Sequence, residues 1–283
     1  MPPHEQDTRT TGSDETPIEP GGGRNGLSLG LPWGLAPGHA ATIAAGILLG
    51  IAVRAVGLPD TWELFGTSGD VLTTPVALLI ALGTISVTGA VTARSPWRVV
   101  DLVVAAVIGV AGGLFLWGIA TSWNALTTPL SFYPPASAGL AGLWLVPGVL
   151  GGLILRRPGA ALFCELMAAV LEAVLGNQWG FSTVYYGVVE GLGAEFVLAL
   201  LLYRGFGLLP AMLSGAGAGV SLALLDLAIW YPTFSASYRT AYIGLAILSG
   251  AVIAGVGSWA LTRALARVGV LAPLASGAAA ERV

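Results

Sequence analysis

The sequence predicts an all-α fold, a polytopic transmembrane bundle of about eight helices. Three observations predict it. Hydrophobic residues make up 55% of the 283 residues and charged ones only 10%, with a mean hydropathy of +0.82; soluble domains carry about 25% charged residues. Apolar segments approaching the roughly 20 residues needed to span a bilayer recur along the chain. The arginines, finally, fall on alternate connections between those segments, as the positive-inside rule requires.

Residues 1–37 are rich in Thr, Gly, Pro and acidic side chains and end in GGGRNG. They read as a disordered cytoplasmic tail with too little apolar surface to fold, and lack the basic start and apolar core of a secretory signal. The apolar segments follow at about 38–58, 71–93, 99–121, 139–155, 159–175, 182–203, 207–230 and 240–263. Pro158 and Pro210 stand at helix starts, where a missing N–H is tolerated, and Pro147 is expected to kink the fourth segment. The 122–138 connection, with Pro129, Pro134 and Pro135, is long for a bundle and reads as an ordered loop or a cover over an external pocket.

With the N-terminus in the cytoplasm, the connections bearing Arg94 and Arg98, Arg156 and Arg157, and Arg204, plus the tail with Arg263 and Arg267, all lie inside. The 59–70 connection has Asp60, Glu63 and Asp70 without arginine, and only Arg239 dissents. Both termini are therefore placed in the cytoplasm, with residues 272–283 as a tail. Asp101 beside Arg98 reads as a local ion pair at the inner edge.

All twelve basic residues are arginine. Without lysine the chain has neither a Walker A phosphate loop nor a Schiff-base residue, so any ATP-driven work belongs to a partner. The only histidines are His4 and His39 and the single cysteine is Cys164, which argues against a histidine-based catalytic or metal site in the membrane. No catalytic residue, metal or cofactor is expected, and no nucleic-acid partner. Cys164, in an apolar helix, reads as a small core residue.

Five carboxylates, Glu165, Glu172, Glu190, Glu195 and Asp226, lie inside spanning segments that hold no basic residue. An acidic group at a bilayer centre costs about 2.5–3.5 kcal/mol on insertion scales, so protonation, hydrogen bonds within the bundle or a bound cation must offset it. Glu165 and Glu172, seven residues apart, share a helix face about 10.5 Å apart along the axis. Glu190 and Glu195, five apart, do not share one, whereas Tyr186 and Glu190 do. Glu172, Glu190 and Asp226 come out at compatible depths toward the outer surface. With Asn177, Gln178, Trp179, Tyr186, Trp230, Trp123 and Asn124 they describe an acidic, aromatic-lined pocket for a cationic or readily protonated ring. The competing readings are an interfacial belt for the aromatics and interhelical hydrogen bonding for the acids, the latter favoured for the deeper Glu165 and Glu195. Ala105, Gly109 and Gly113 form a small-residue stripe that suits another helix, in a partner or in the same chain.

The strings RRPGAALFCELMAAVLEAVLGNQWG at 156–180, GVVEGLGAEFVLAL at 187–200 and LLPAMLSGAGAG at 208–219, with Asp226 near the end of its helix, resemble the YkoE-type family of substrate-binding (S) subunits of energy-coupling-factor (ECF) transporters, an ABC-type vitamin uptake system. The resemblance covers roughly residues 97–271. It implies a six-helix substrate-binding core there, preceded by two additional N-terminal helices within 38–96. It also implies capture of thiamine or its hydroxymethylpyrimidine precursor in a plasma-membrane importer, with a transmembrane coupling subunit and two cytoplasmic ATPases as partners. Under it, Glu172, Asn177, Glu190 and Asp226 face the ligand and the Ala105, Gly109, Gly113 stripe docks the coupling subunit. Glu190 departs from the family, which resembles a glutamine there. A proton-coupled secondary transporter of a small cationic or aromatic solute is the alternative from a different class, and a structural membrane subunit without a ligand is a third.

Overall fold

The computed structural model describes residues 44, 47–52, 63–64, 67–93 and 96–280. The 1–37 tail, most of the 38–58 segment, and Arg54, Asp60 and Arg94 lie outside the described residues. Apart from a two-residue antiparallel ladder between β1 (Glu63–Leu64) and β2 (Thr67–Ser68), the regular structure is helical. The helices are α1 (Gly69–Ala93), α2 (Val99–Thr127), α3 (Val146–Leu155), α4 (Ala160–Leu175), α5 (Ser182–Leu200), α6 (Leu208–Ile229), α7 (Ala236–Ser249), α8 (Gly257–Arg267) and the short α9 (Ala275–Ala280). Among the described residues, five helical stretches are long and apolar enough to cross a membrane: Val99–Leu130, Pro134–Leu155, Ser182–Leu200, Leu208–Ile229 and Ala236–Arg267. The chain is a multi-pass membrane protein.

Several boundaries depart from the periodicity, each for a physical reason. The 122–138 connection is not a loop: α2 runs on to Thr127, and 3₁₀ turns at Thr128–Leu130 and Pro134–Leu143 follow. Pro147 does not kink a continuous helix. It stands in the first turn of α3, where its missing N–H disrupts nothing. The last span starts at Ala236 and reaches Arg267, passing through a π-helical stretch at Gly250–Val256 that joins α7 to α8. There the backbones of Gly215 in α6 and Gly250 come so close that a Cβ on Gly215 would fall 2.1 Å from the Gly250 carbonyl oxygen. The 272–283 segment is no free tail over its described part. Leu274 and Ser276 are buried, and Arg98 Nη2 donates to the Pro273 carbonyl.

At the centre lies α4, packed between α2 and α5. Its 16 residues span only about 24 Å, and its neighbours shield it where lipid would otherwise touch its glutamates. The stripe of Ala105, Gly109 and Gly113 faces this helix. Ala105 is fully buried, and a Cβ on Gly109 or Gly113 would fall 2.6 Å from Met167 Cβ or 2.7 Å from Leu171 Cβ. The stripe thus serves packing within the chain. Of the two placements that its spacing allows, a helix of the same chain occupies this face. What α2 exposes instead is Val103, Val107, Val110 and Leu114, an apolar surface suited to lipid.

At the arginine-bearing end, Asp101 is fully buried and accepts from Arg98 Nη2 and Arg157 Nε, each at 2.9 Å. The ion pair read from sequence is present, and Arg157 adds a second cation to it. Glu195 is also structural. Its carboxylate accepts from the backbone N–H of Gly159 at 2.7 Å, Ala161 at 2.9 Å and Leu162 at 3.4 Å, and from the Tyr203 hydroxyl. A negative group on the open N–H groups that begin α4 satisfies otherwise orphaned donors and opposes the helix dipole. Burial first, and then Glu195 beside it, push the Tyr203 hydroxyl far above the ordinary phenol range, so it remains a donor.

Candidate functional site

The helices carry their remaining acids to the other end of the bundle. Running away from the arginine end, α2 brings Leu116 and Trp123, α4 brings Glu165 and Glu172, and α6 brings Asp226. Starting from the far end, α5 supplies Thr183, Tyr186 and Glu190, and α7 supplies Tyr242. Together with Trp144, Trp179, Ser182, Trp230 and Tyr231 they enclose a cavity of about 300 Å³. That is the lower end of the range for small-ligand sites.

One wall is a cluster of three indoles. Trp144 and Trp179 meet edge to face at 5.4 Å, Trp123 and Trp144 at 5.5 Å, and Trp123 and Trp179 at 6.2 Å. Rings held in this mutual contact lose few rotamers when a flat ligand slides against them. Tyr231 and Tyr242, with centroids 5.2 Å apart, line the cavity as well. Burial, with Asp226 nearby, holds the Tyr231 hydroxyl above its ordinary range.

Four carboxylates line this cavity and, among the described residues, no Arg does. They differ in how well the protein satisfies them. Asp226 has a donor on each oxygen, with Oδ1 accepting from Tyr186 at 2.7 Å and Oδ2 from Tyr242 at 2.6 Å. Glu172 Oε1 accepts from Asn177 Nδ2 at 2.8 Å, and Asn177 Oδ1 accepts in turn from the Trp179 backbone N–H at 2.8 Å. That chain ties a carboxylate to the turn that places an indole. Glu165 Oε2 accepts from the Gly148 N–H at 2.6 Å, but its buried Oε1 has no partner among the described residues. Glu190 is buried and makes no hydrogen bond among the described residues. Buried acceptors of this kind are expensive to leave unmet, so the free oxygens of Glu165 and Glu190 are where a donor-bearing or cationic ligand gains most.

Of the residues singled out from sequence, Glu172, Trp179, Tyr186, Glu190, Asp226, Trp230 and Trp123 come together on the cavity. Asn177 stands behind it as the partner of Glu172, and Gln178 and Asn124 do not line it. Asn124 instead accepts the Thr128 hydroxyl through its carbonyl. Glu165, expected to be a deeper packing residue, lines the cavity as well. Sequence reasoning missed Trp144, Tyr231 and Tyr242. Trp144 ends a 3₁₀ stretch with no readable periodicity, whereas Tyr242 lies near the outer end of the last apolar segment, so the depth argument used for Asp226 would have found it. Arg239, the one arginine at this end among the described residues, donates through Nε to the Phe234 carbonyl at 2.8 Å and stays clear of the cavity.

Comparison with known proteins gives three matches. Residues 100–221 match the family model of the ABC-type cobalt transport system permease component. A Bacillus subtilis (strain 168) protein described as an HMP/thiamine permease protein, YkoE, is 32% identical over 182 residues, which are 64% of this chain and 90% of the relative. The crystal structure of an S-component of an ECF transporter superimposes with a TM-score of 0.63 at 31% identity, covering 66% of this chain and 94% of that one.

Proposed function

The chain belongs to the YkoE-type family of substrate-binding subunits of ECF transporters, and on that footing we propose that its cavity captures thiamine or its hydroxymethylpyrimidine precursor. It is the substrate-specific membrane subunit of a vitamin importer, and it works with ECF transporter partners. One observation carries the choice of ligand: a cavity of about 300 Å³ with an indole wall and four carboxylates, unopposed by any basic lining residue among the described residues.

An aminopyrimidine ring suits that lining. Its faces stack on Trp144 and Trp179, its amino group donates to a carboxylate, and its ring nitrogens can be protonated against one. In thiamine the thiazolium adds a permanent cation, which gains from both the aromatic faces and the acids. Glu165 has an unpartnered Oε1 for this and Glu190 a carboxyl group without a hydrogen bond among the described residues, while Asp226 and Glu172 hold the walls in place through Tyr186, Tyr242 and Asn177.

The arginine bias supports an orientation with the cavity toward the outside and both termini in the cytoplasm of a plasma-membrane protein. Its partners in this reading are a transmembrane coupling subunit and two cytoplasmic ATPases, in keeping with a chain that has no lysine for a phosphate loop. Residues 97–271 form the binding core, 38–96 contribute two additional helices, and 1–37 and 272–283 lie in the cytoplasm.

Titrating the purified protein with thiamine and with hydroxymethylpyrimidine, read through quenching of the three clustered indoles, tests the ligand. Saturable binding at one site per chain is expected, and absence of saturation with both compounds would remove the assignment. The protein alone in liposomes is expected to show no concentrative uptake under a proton gradient. Such uptake would instead identify a proton-coupled secondary transporter, with Glu165 or Glu190 as carrier.

A further inference from the structure

A second cavity, of about 400 Å³, opens at the opposite, arginine-bearing end of the bundle, where α3, the start of α6, α8 and the 271–276 segment meet. Three guanidinium groups line it, those of Arg156, Arg263 and Arg267, and among the described residues no Asp or Glu does. Arg263 and Arg267 are one turn apart on the same face of α8. Arg156 ends α3 with a left-handed backbone, at φ 54°, and its guanidinium lies 5.0 Å over the Phe206 ring. Arg263 lies 5.0 Å over the Trp259 ring. The two aromatic rings hold the cations but do not neutralise them.

Two further features separate this cavity from an ordinary solvated patch of topology-setting arginines. Ser276 is almost fully buried and lines the cavity, yet its Oγ has no hydrogen-bond partner among the described residues. Arg156 is half-buried, its Nε–Leu153 carbonyl and Nη1–Ala275 carbonyl distances are a long 3.3 and 3.5 Å, and burial holds its pKa below the ordinary value. Both groups are left incompletely met by the protein, and both are satisfied by the same thing, an oxyanion in the cavity.

We propose that this cavity is a binding site for a phosphate group, in which the three arginines neutralise the anion, the Ser276 hydroxyl donates to one of its oxygens, and the Phe206 and Trp259 rings shelter the attached apolar part. Guanidinium forks match phosphate oxygens in geometry as well as charge. Basic pockets between transmembrane helices at the cytoplasmic side take phospholipid headgroups in this way. The phosphate comes either from an anionic phospholipid or from a free phosphate compound. The site is independent of the ligand assigned to the outer cavity, since the two share no lining residue.

The test uses the full chain in neutral detergent and native mass spectrometry. It is titrated separately with phosphatidylglycerol, phosphatidylcholine and inorganic phosphate, against wild type, Arg263→Gln/Arg267→Gln, Arg263→Lys/Arg267→Lys and Ser276→Ala. Phosphatidylglycerol is expected to give one retained adduct at a concentration at least tenfold below that needed for phosphatidylcholine. The double glutamine variant should lose that preference and the double lysine variant recover part of it. Ser276→Ala should weaken binding by several-fold with every charge in place. Binding of inorganic phosphate without a phospholipid preference, lost in the glutamine variant, supports the site and assigns it to a free phosphate. Equal retention of the two lipids with no phosphate binding overturns the proposal, as does a glutamine variant that binds like wild type. Arg263 and Arg267 are exposed, and an unchanged thermal unfolding midpoint verifies that their loss leaves the fold intact.

Discussion

Replacing Glu190 with Gln separates binding from folding at one position. The side chain keeps its shape but loses its charge. Because Glu190 makes no hydrogen bond among the described residues, the substitution breaks none with them in the empty protein, and the change in stability is expected to stay within the roughly 1 kcal/mol typical of a single substitution. Removing one ionisable group from an enclosure shared by four acids also removes the cost of charging it there, so the unfolding midpoint should hold or rise. The bound state differs. A hydrogen bond to a charged group contributes about 1.5–3 kcal/mol, which corresponds to a loss of roughly 10- to 150-fold in affinity. The loss should be larger for cationic thiamine than for neutral hydroxymethylpyrimidine, because only the former uses the full charge. Indole quenching gives both dissociation constants and thermal unfolding in detergent gives the stability. Affinity for thiamine within twofold of wild type would refute the role of Glu190. An equal loss for both compounds would show that Glu190 serves the pyrimidine that they share and not the thiazolium charge.

Three further outcomes follow from the geometry. Glu195→Ala strips the cap from α4 and leaves the Gly159 and Ala161 N–H groups and the buried Tyr203 hydroxyl without their acceptor; a destabilisation of about 3–5 kcal/mol is expected, in line with other broken buried charge networks, with ligand affinity of the folded fraction unchanged in a binding titration. Gly113→Leu places a side chain where even a Cβ would meet Leu171 Cβ at 2.7 Å; the isolated subunit should then lose monodisperse elution in size-exclusion chromatography, before any partner is added. Tyr242→Phe removes one of the two donors to Asp226 and should lower stability by about 1–2 kcal/mol and weaken ligand binding several-fold, measured by thermal unfolding and by titration.

Much of the outer cavity was legible in the primary structure. Carboxylates at helical spacing in uncharged apolar segments have few places to go, so Glu172, Glu190 and Asp226 could be assigned to one depth before any packing was known. Glu165 shows the limit of that reasoning. Depth alone put it among the packing residues, but the seven-residue spacing also keeps it on the face of Glu172, and in a helix as short and central as α4 the face outweighs the depth. The small-residue stripe was ambiguous for a related reason. A run of Ala and Gly at four-residue intervals specifies close approach by a helix but not which helix, and α4 takes that place.

By itself the sequence determined the membrane class, the run of spanning segments, the uneven distribution of arginine and the presence of acids that lipid would not tolerate alone. These are matters of composition and period, set by transfer free energies that act residue by residue. Tertiary structure decided which acids the protein satisfies for itself. Glu195 became a helix cap and Asp226 a tyrosine-bound post, while Glu190 kept an open carboxyl group facing the cavity. Hydrogen bonds are directional and short, so their allocation depends on ångström-scale approach between helices distant in the chain, and no spacing along one helix encodes that.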